Sequence, residues 1–415
     1  MSPTLDGPGP MLPDSFLGGT APRLRSLVLN DIPFPEVPKL LMSATHLVNL
    51  DLYGIPLSGY VPPKAMATSL SALTCLENLR LHFRYPRPRP APESRRPSPL
   101  TRSILPRLTK IGFKGASEYL EEILAQIDAP RLIEFHITFF NQIIFDTPQL
   151  FQFISRRPTL RALENGHIVF NSKAVIVKFP SRTSDYNVLS VQISCTAPEW
   201  QLSSVEQVCT SSLPPLSALE GLYISENRGD PPRWQDDVEN TLWLELLHPF
   251  AAVKNLYLCQ KTVQRIAPAL QDLVGVRTTE VLPILESIFL EELHSPRPHH
   301  EGIEKLCAAR QLISSPLAVS LWDMDPGQPR SVTHAKRPDH PEKQPYHPEK
   351  RPEYSTKRPD YPALLNNLLQ GHRTGNLSNL YEYSFSREGP NDNFTHLASA
   401  ICKCSLGGMS GNLTR

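Results

Sequence analysis

The chain has 415 residues, and its 42 basic and 41 acidic side chains leave a formal charge of +1. That balance excludes a protein-wide field drawing it to nucleic acid or to an anionic membrane. The 43 prolines, about twice ordinary usage, are unevenly spread, so part of the chain is expected to be non-globular.

No run approaches the roughly 18 apolar residues of a membrane span, and the first residues lack the basic and apolar regions of a secretory signal. The seven cysteines are odd in number and widely spaced. A reduced protein of the cytoplasm or nucleus is expected, with no membrane partner.

Residues 1–20 are rich in Pro and Gly and are expected to be disordered. From residue 21 a phrase of the form L-x-x-L-x-L recurs. It runs Leu24/Leu27/Leu29, Leu47/Leu50/Leu52, Leu76/Leu79/Leu81, Leu108/Ile111/Phe113 and Leu132/Phe135/Ile137. A degenerate copy starts at Leu160 and Leu163. Clear copies return at Leu219/Leu222/Ile224, Val253/Leu256/Leu258 and Leu285/Ile288/Leu290. Each phrase predicts a short strand with alternate residues facing inward. The intervals predict crossover helices over 35–44, 62–73, 116–127, 147–157, 203–213, 240–250, 262–273 and 300–313. In 116–127, Tyr119, Leu120, Ile123, Leu124 and Ile127 share one helical face. Between 165 and 200 the phrase lapses, and 167–170, 174–179 and 187–195 read as successive strands, a hairpin widening the sheet.

The period and alternation predict an α/β fold: an irregular leucine-rich-repeat solenoid over 21–324, parallel strands on its concave face and helices on its convex face. Residues 84–100, with six prolines and five arginines, read as an extended insertion. Residues 325–415, which include the Lys/Arg-Pro-Asp/Glu repeat at 336–362, read as a low-complexity, disordered tail.

No catalytic pattern is legible: no P-loop, no dinucleotide fingerprint, no nucleophile elbow, no zinc-protease helix. His294, His299 and His300 fall in a proline-rich turn. Glu121 and Glu122 are adjacent on a helix, so their side chains diverge. We expect no enzyme, no cofactor and no metal, and a surface instead. The residues flanking the second leucine of each phrase point away from the core. They give a basic stretch (Arg80, His82, Lys110, Lys114), its neighbours Tyr53, Glu134 and His136, and an aromatic stretch (Tyr223, Tyr257, Phe289). Tyr and Arg are common anchors of protein interfaces. The expected partner is a protein, not a nucleic acid.

The phrases at 21–35, 46–56, 76–83, 105–115, 128–154, 199–209 and 282–293 resemble, in style and order, a family of fungal proteins abundant in mushroom-forming species. These proteins couple an F-box to an irregular leucine-rich-repeat domain. The resemblance covers about residues 20–324. It implies a substrate receptor of a cullin-type ubiquitin ligase, with the repeats gripping the target. The first repeat begins by residue 21 and leaves no room for an F-box ahead of it, so ligase subunits are implied as partners only if an F-box is restored upstream. The alternative is a repeat-only scaffold, or a truncated gene product without ligase coupling.

Overall fold

In the computed structural model, the described residues are 16–85, 102–140, 145–161, 163–180, 187–195, 197–213, 216, 218–234, 239–273, 280–291, 301–312 and 315–322. Most of the 84–100 insertion, His294, His299, His300 and the tail beyond 322 lie outside them.

The first half runs β1 (Ser26–Asn30), α1 (Val37–Ser43), β2 (Asn49–Ile55), α2 (Pro63–Ser71), β3 (Asn78–Phe83), β4 (Ser103–Ile104), β5 (Lys110–Gly115), α3 (Ser117–Gln126), β6 (Ile127–Asp128), β7 (Glu134–Phe140), α4 (Pro148–Ser155) and α5 (Pro158–Arg161). The second half runs β8 (Asn165–Phe170), β9 (Ala174–Pro180), β10 (Asn187–Ser194), α6 (Pro198–Gln207), β11 (Gly221–Glu226), α7 (Asn240–Leu247), β12 (Asn255–Leu258), α8 (Gln260–Asp272), β13 (Ser287–Glu291), α9 (Glu301–Leu312) and β14 (Ala318–Trp322). This is a mixed α/β architecture. Twelve strands form one open sheet in the order β1-β2-β3-β5-β7-β10-β9-β8-β11-β12-β13-β14, and β4 pairs with β6 apart from it. Every pairing in the large sheet is parallel except the two that β9 makes with β8 and β10. The expected hairpin is present: β8, β9 and β10 form an antiparallel meander set into a parallel sheet.

The recurring phrase works through a recurring set of backbone bonds. In eight copies the N–H of the first Leu or Val donates to the carbonyl three residues back, from Leu24 to Ala21 through to Leu285 to Leu282. This tight turn delivers the chain into its strand. The carbonyl of the following residue then accepts two N–H groups from the next copy. Arg25 serves Val48 and Asn49, Val48 serves Glu77 and Asn78, and Glu77 serves Thr109 and Lys110. The pairing is therefore set before the strand proper begins.

Five helices, α1, α2, α4, α5 and α6, carry proline in the first turn, where its missing N–H costs nothing. The N-terminus of α4 is satisfied from its neighbour: Glu121 on α3 accepts the N–H groups of Gln149 at 2.8 Å and Leu150 at 2.7 Å.

The phrase leucines and the inner helix residues form one core; Leu27, Leu50, Leu79, Ile111, Phe135, Leu222, Leu256 and Ile288 are all at most 4 % exposed. Removing each such side chain from water contributes about 1.5–3 kcal/mol. At the degenerate copy the structure corrects the reading. The strand partner of Leu222 is Gly166, and Glu164 supplies the doubly accepting carbonyl, so the copy is Leu163/Gly166/Ile168, three residues later than expected. Gly166 replaces the second leucine because Leu219 and Phe179 already fill that space; a Cβ there would lie 3.2 Å from Leu219.

Candidate functional site

Strand residues alternate between the helix-covered core and the opposite face of the sheet. On that opposite face the registers join into one row crossing all twelve strands: Val28, Asp51, Arg80, Gly112, His136, Ser190, Lys178, His167, Tyr223, Tyr257, Phe289, Ser320. Five of the ten residues singled out in the sequence, Arg80, His136, Tyr223, Tyr257 and Phe289, stand in this row. Tyr53, His82 and Lys114 lie two residues further along their strands, and Lys110 and Glu134 two residues before. The face therefore brings all ten together as a band rather than as a pocket.

The N-terminal half of the band is polar, but less basic than the residue types suggest. Arg80 Nη1 pairs across the strands with Asp51 Oδ2 at 3.2 Å, and Lys110 Nζ pairs with Glu134 Oε1 at 2.7 Å. His136 Nε2 stands 3.8 Å from the other Glu134 oxygen. The Tyr53 ring leans on His82, with centroids 5.3 Å apart. Burial pushes the His82 imidazole down to about 4; Asp51 opposes the shift, while Arg80 and Lys114 add to it. His136 is shifted the same way, by desolvation against the pull of Glu134. Both histidines are thus neutral at neutral pH. Lys114 Nζ lies over the Phe140 ring, 5.7 Å from its centroid. Asp51 Oδ1 and His82 Nδ1 are buried with no hydrogen-bond partner among the described residues.

The C-terminal half is a ladder of stacked rings. His167 stacks on Tyr223 at 4.3 Å and 11°, Tyr223 on Tyr257 at 4.0 Å and 6°, and Tyr257 on Phe289 at 4.5 Å and 10°. Parallel strands place identical positions about 4.8 Å apart, so side chains standing off the sheet in register meet face to face. Trp322 on the edge strand β14 packs edge-on against Tyr257 and Tyr223, at 5.4 and 5.8 Å. Burial and the neighbouring Tyr257 raise the Tyr223 phenol above its ordinary range. Burial, with Lys178 adding to it, brings His167 down to about 4.

His167, Lys178, Ser190 and Trp322 were not foreseen, because β9, β10 and β14 lack the repeated phrase and the copy leading into β8 was read three residues early. The signal was present as plain alternation: Val175, Val177 and Phe179 face in, leaving Ile176 and Lys178 to face out. Cys259, two residues past Tyr257, does not extend the face: β12 ends at Leu258 and Cys259 is the buried residue preceding α8, its Sγ 2.9 Å from Thr262 Oγ1. Among the described residues no group of three His, Cys, Asp or Glu side chains could hold a metal ion, and no helix is long and apolar enough to cross a membrane.

A scan of the chain against protein-family models and a search of curated proteins return no match.

Proposed function

We propose that the chain is a non-enzymatic protein-recognition module, a leucine-rich-repeat-like solenoid that grips another protein on the open face of its sheet. The observation that carries this reading is the unbroken row of outward residues across twelve strands, largely polar toward its N-terminal end and continued by a ladder of four stacked rings. Half-exposed aromatic and guanidinium groups concentrated on one surface are the composition of interface anchors. Support for the solenoid comes from parallel strands entered through the same turn in copy after copy, each followed by a crossover. By its resemblance to the fungal F-box family, the target would be a ubiquitin-ligase substrate in the cytoplasm or nucleus. Coupling to cullin-type subunits would then depend on an F-box supplied upstream.

The test places a photo-crosslinking benzoylphenylalanine at Tyr53 or Ser190 on the open face, and at Met42 or Leu57 elsewhere, where the side chains are 53 % and 60 % exposed. Irradiation in a native extract is expected to give discrete protein adducts from the first pair alone. Equal labelling from both pairs would remove the assignment. A full-length transcript with an in-frame F-box exon would support the ligase role; translation starting at Met1, with no ligase subunit co-purifying, would reduce the reading to a repeat-only scaffold.

A further inference from the structure

We infer that the β9–β13 part of the open face binds an extended, proline-rich peptide segment whose acidic end lies over Lys178; the inference rests on the protein-recognition reading above.

The chemistry follows from which parts of the rings remain available. Tyr223 and Tyr257 each have both faces covered by a neighbouring ring at 4.0–4.5 Å, so the ladder offers the ring edges that Trp322 leaves uncovered, and the Tyr257 hydroxyl bonded to Tyr223, rather than faces. Ring edges carry the positive part of the aromatic quadrupole. At the near end Lys178 lies directly opposite His167 in register, and among the described residues it has no ion-pair partner. His167 beside it is held neutral. The strip thus presents hydroxyl and ammonium donors and positive ring edges. Its complement is a chain rich in acceptors.

A polyproline-type segment meets that need, because its carbonyls make no internal hydrogen bonds, and a carboxylate at one end supplies the counter-charge to Lys178. The dimensions agree. From β9 to β13 there are four strand spacings, roughly 19 Å, which about six residues at about 3.1 Å each would span. Single-stranded nucleic acid fits less well: its bases need open ring faces, and its phosphates need a line of unpaired cations.

The test is fluorescence anisotropy on the full chain with labelled Glu-Glu-Pro-Pro-Leu-Pro. The controls are the same peptide with Lys-Lys in place of Glu-Glu, and a short oligothymidylate. The acidic peptide is expected to bind about tenfold more tightly than the basic one. Lys178→Glu should reverse that order, and Tyr257→Ser should weaken both peptides while circular dichroism stays unchanged. Equal binding of the two peptides, tighter binding of the oligothymidylate, or no saturation at millimolar peptide would each overturn the inference. If the peptides fail while adducts still form from Ser190, only the peptide class falls. If both fail, the recognition reading falls with it.

Discussion

Arg310 is fully buried, and what it does there is hold a turn. Its Nη2 donates to the carbonyls of Leu282 at 2.8 Å and Val281 at 3.3 Å, and its Nη1 donates to Pro283 at 3.3 Å. Leu282 sits at φ 51°, a left-handed conformation that costs a residue with a Cβ about 1–2 kcal/mol. The guanidinium therefore fastens the strained turn that leads into β13. Arg310→Met would take the guanidinium donors from these carbonyls and leave Leu282 only the Leu285 N–H, and we expect a loss of about 3 kcal/mol, read as a lower urea midpoint at unchanged slope. The histidines of the open face act on stability through pH. His82 and His167 titrate near 4 in the folded chain against 6.5 ordinarily, so between those values the unfolded chain binds more protons. Stability contributed by keeping them neutral is complete above pH 6.5 and lost as the pH falls toward 4. Thermal melts across that window should show a falling midpoint, and the double variant His82→Gln/His167→Gln should show a shallower fall. None of this was legible in the sequence. Arg310 lies in an unremarkable helix, and a histidine's burial depends on strands far away in the chain.

Elements were more legible than residues, because their signals are local. Proline in the first turn and an apolar stripe marked the helices, and the repeated phrase marked eight strands to within a residue or two. The exceptions have identifiable causes. The helix expected over 203–213 begins at Pro198, where proline and Glu199 supply a start signal, and its end continues into a π-helical turn, Val208–Ser212. The copy leading into β8 was placed three residues early, at Leu160 instead of Leu163, although its strand was read over 167–170, inside the observed Asn165–Phe170. Strand β14 went unforeseen; its core-side residues Val319 and Leu321 are 46 % and 52 % exposed, so it carries little of the burial that shapes a strand pattern. What joins one helix to the next also lay outside the pattern. Glu121 was read only as a carboxylate diverging from its neighbour Glu122, whereas it receives the first N–H groups of α4. Glu121→Ala should cost about 1–2 kcal/mol, and Glu121→Gln less, measured by chemical denaturation.

Across the whole molecule the sheet has two ends and a middle of different character. Central strands β7, β10, β9 and β8 are paired on both sides and carry fully buried residues such as Phe135, Val191, Val177 and Ile168, whereas among the described residues β1 and β14 are paired on one side only. Amide hydrogen exchange should therefore be slowest in the four central strands and fastest at β1 and β14; uniform protection would contradict this arrangement. The candidate site was legible in outline, since alternation alone selected ten residues that the registers do place on one face. Its charge was not legible. Asp51 and Glu134 neutralise two of the basic residues only because the sheet sets them opposite, and the fourth ring and Lys178 at the ladder's near end come from the meander, where the phrase is degenerate or absent. The meander also obeys a rule of parity. Chain direction alternates β8 up, β9 down, β10 up, so three consecutive strands leave the direction where one would have left it, and β11 resumes in parallel as though nothing had intervened. Because β8 stands on the far side of its own hairpin, beside β11, the pair β9 and β10 occupies a gap that closes if the pair is removed, bringing β8 against β7. Hairpins can thus be gained or lost from such an array two strands at a time, lengthening or shortening the face it presents without reversing a single repeat on either side.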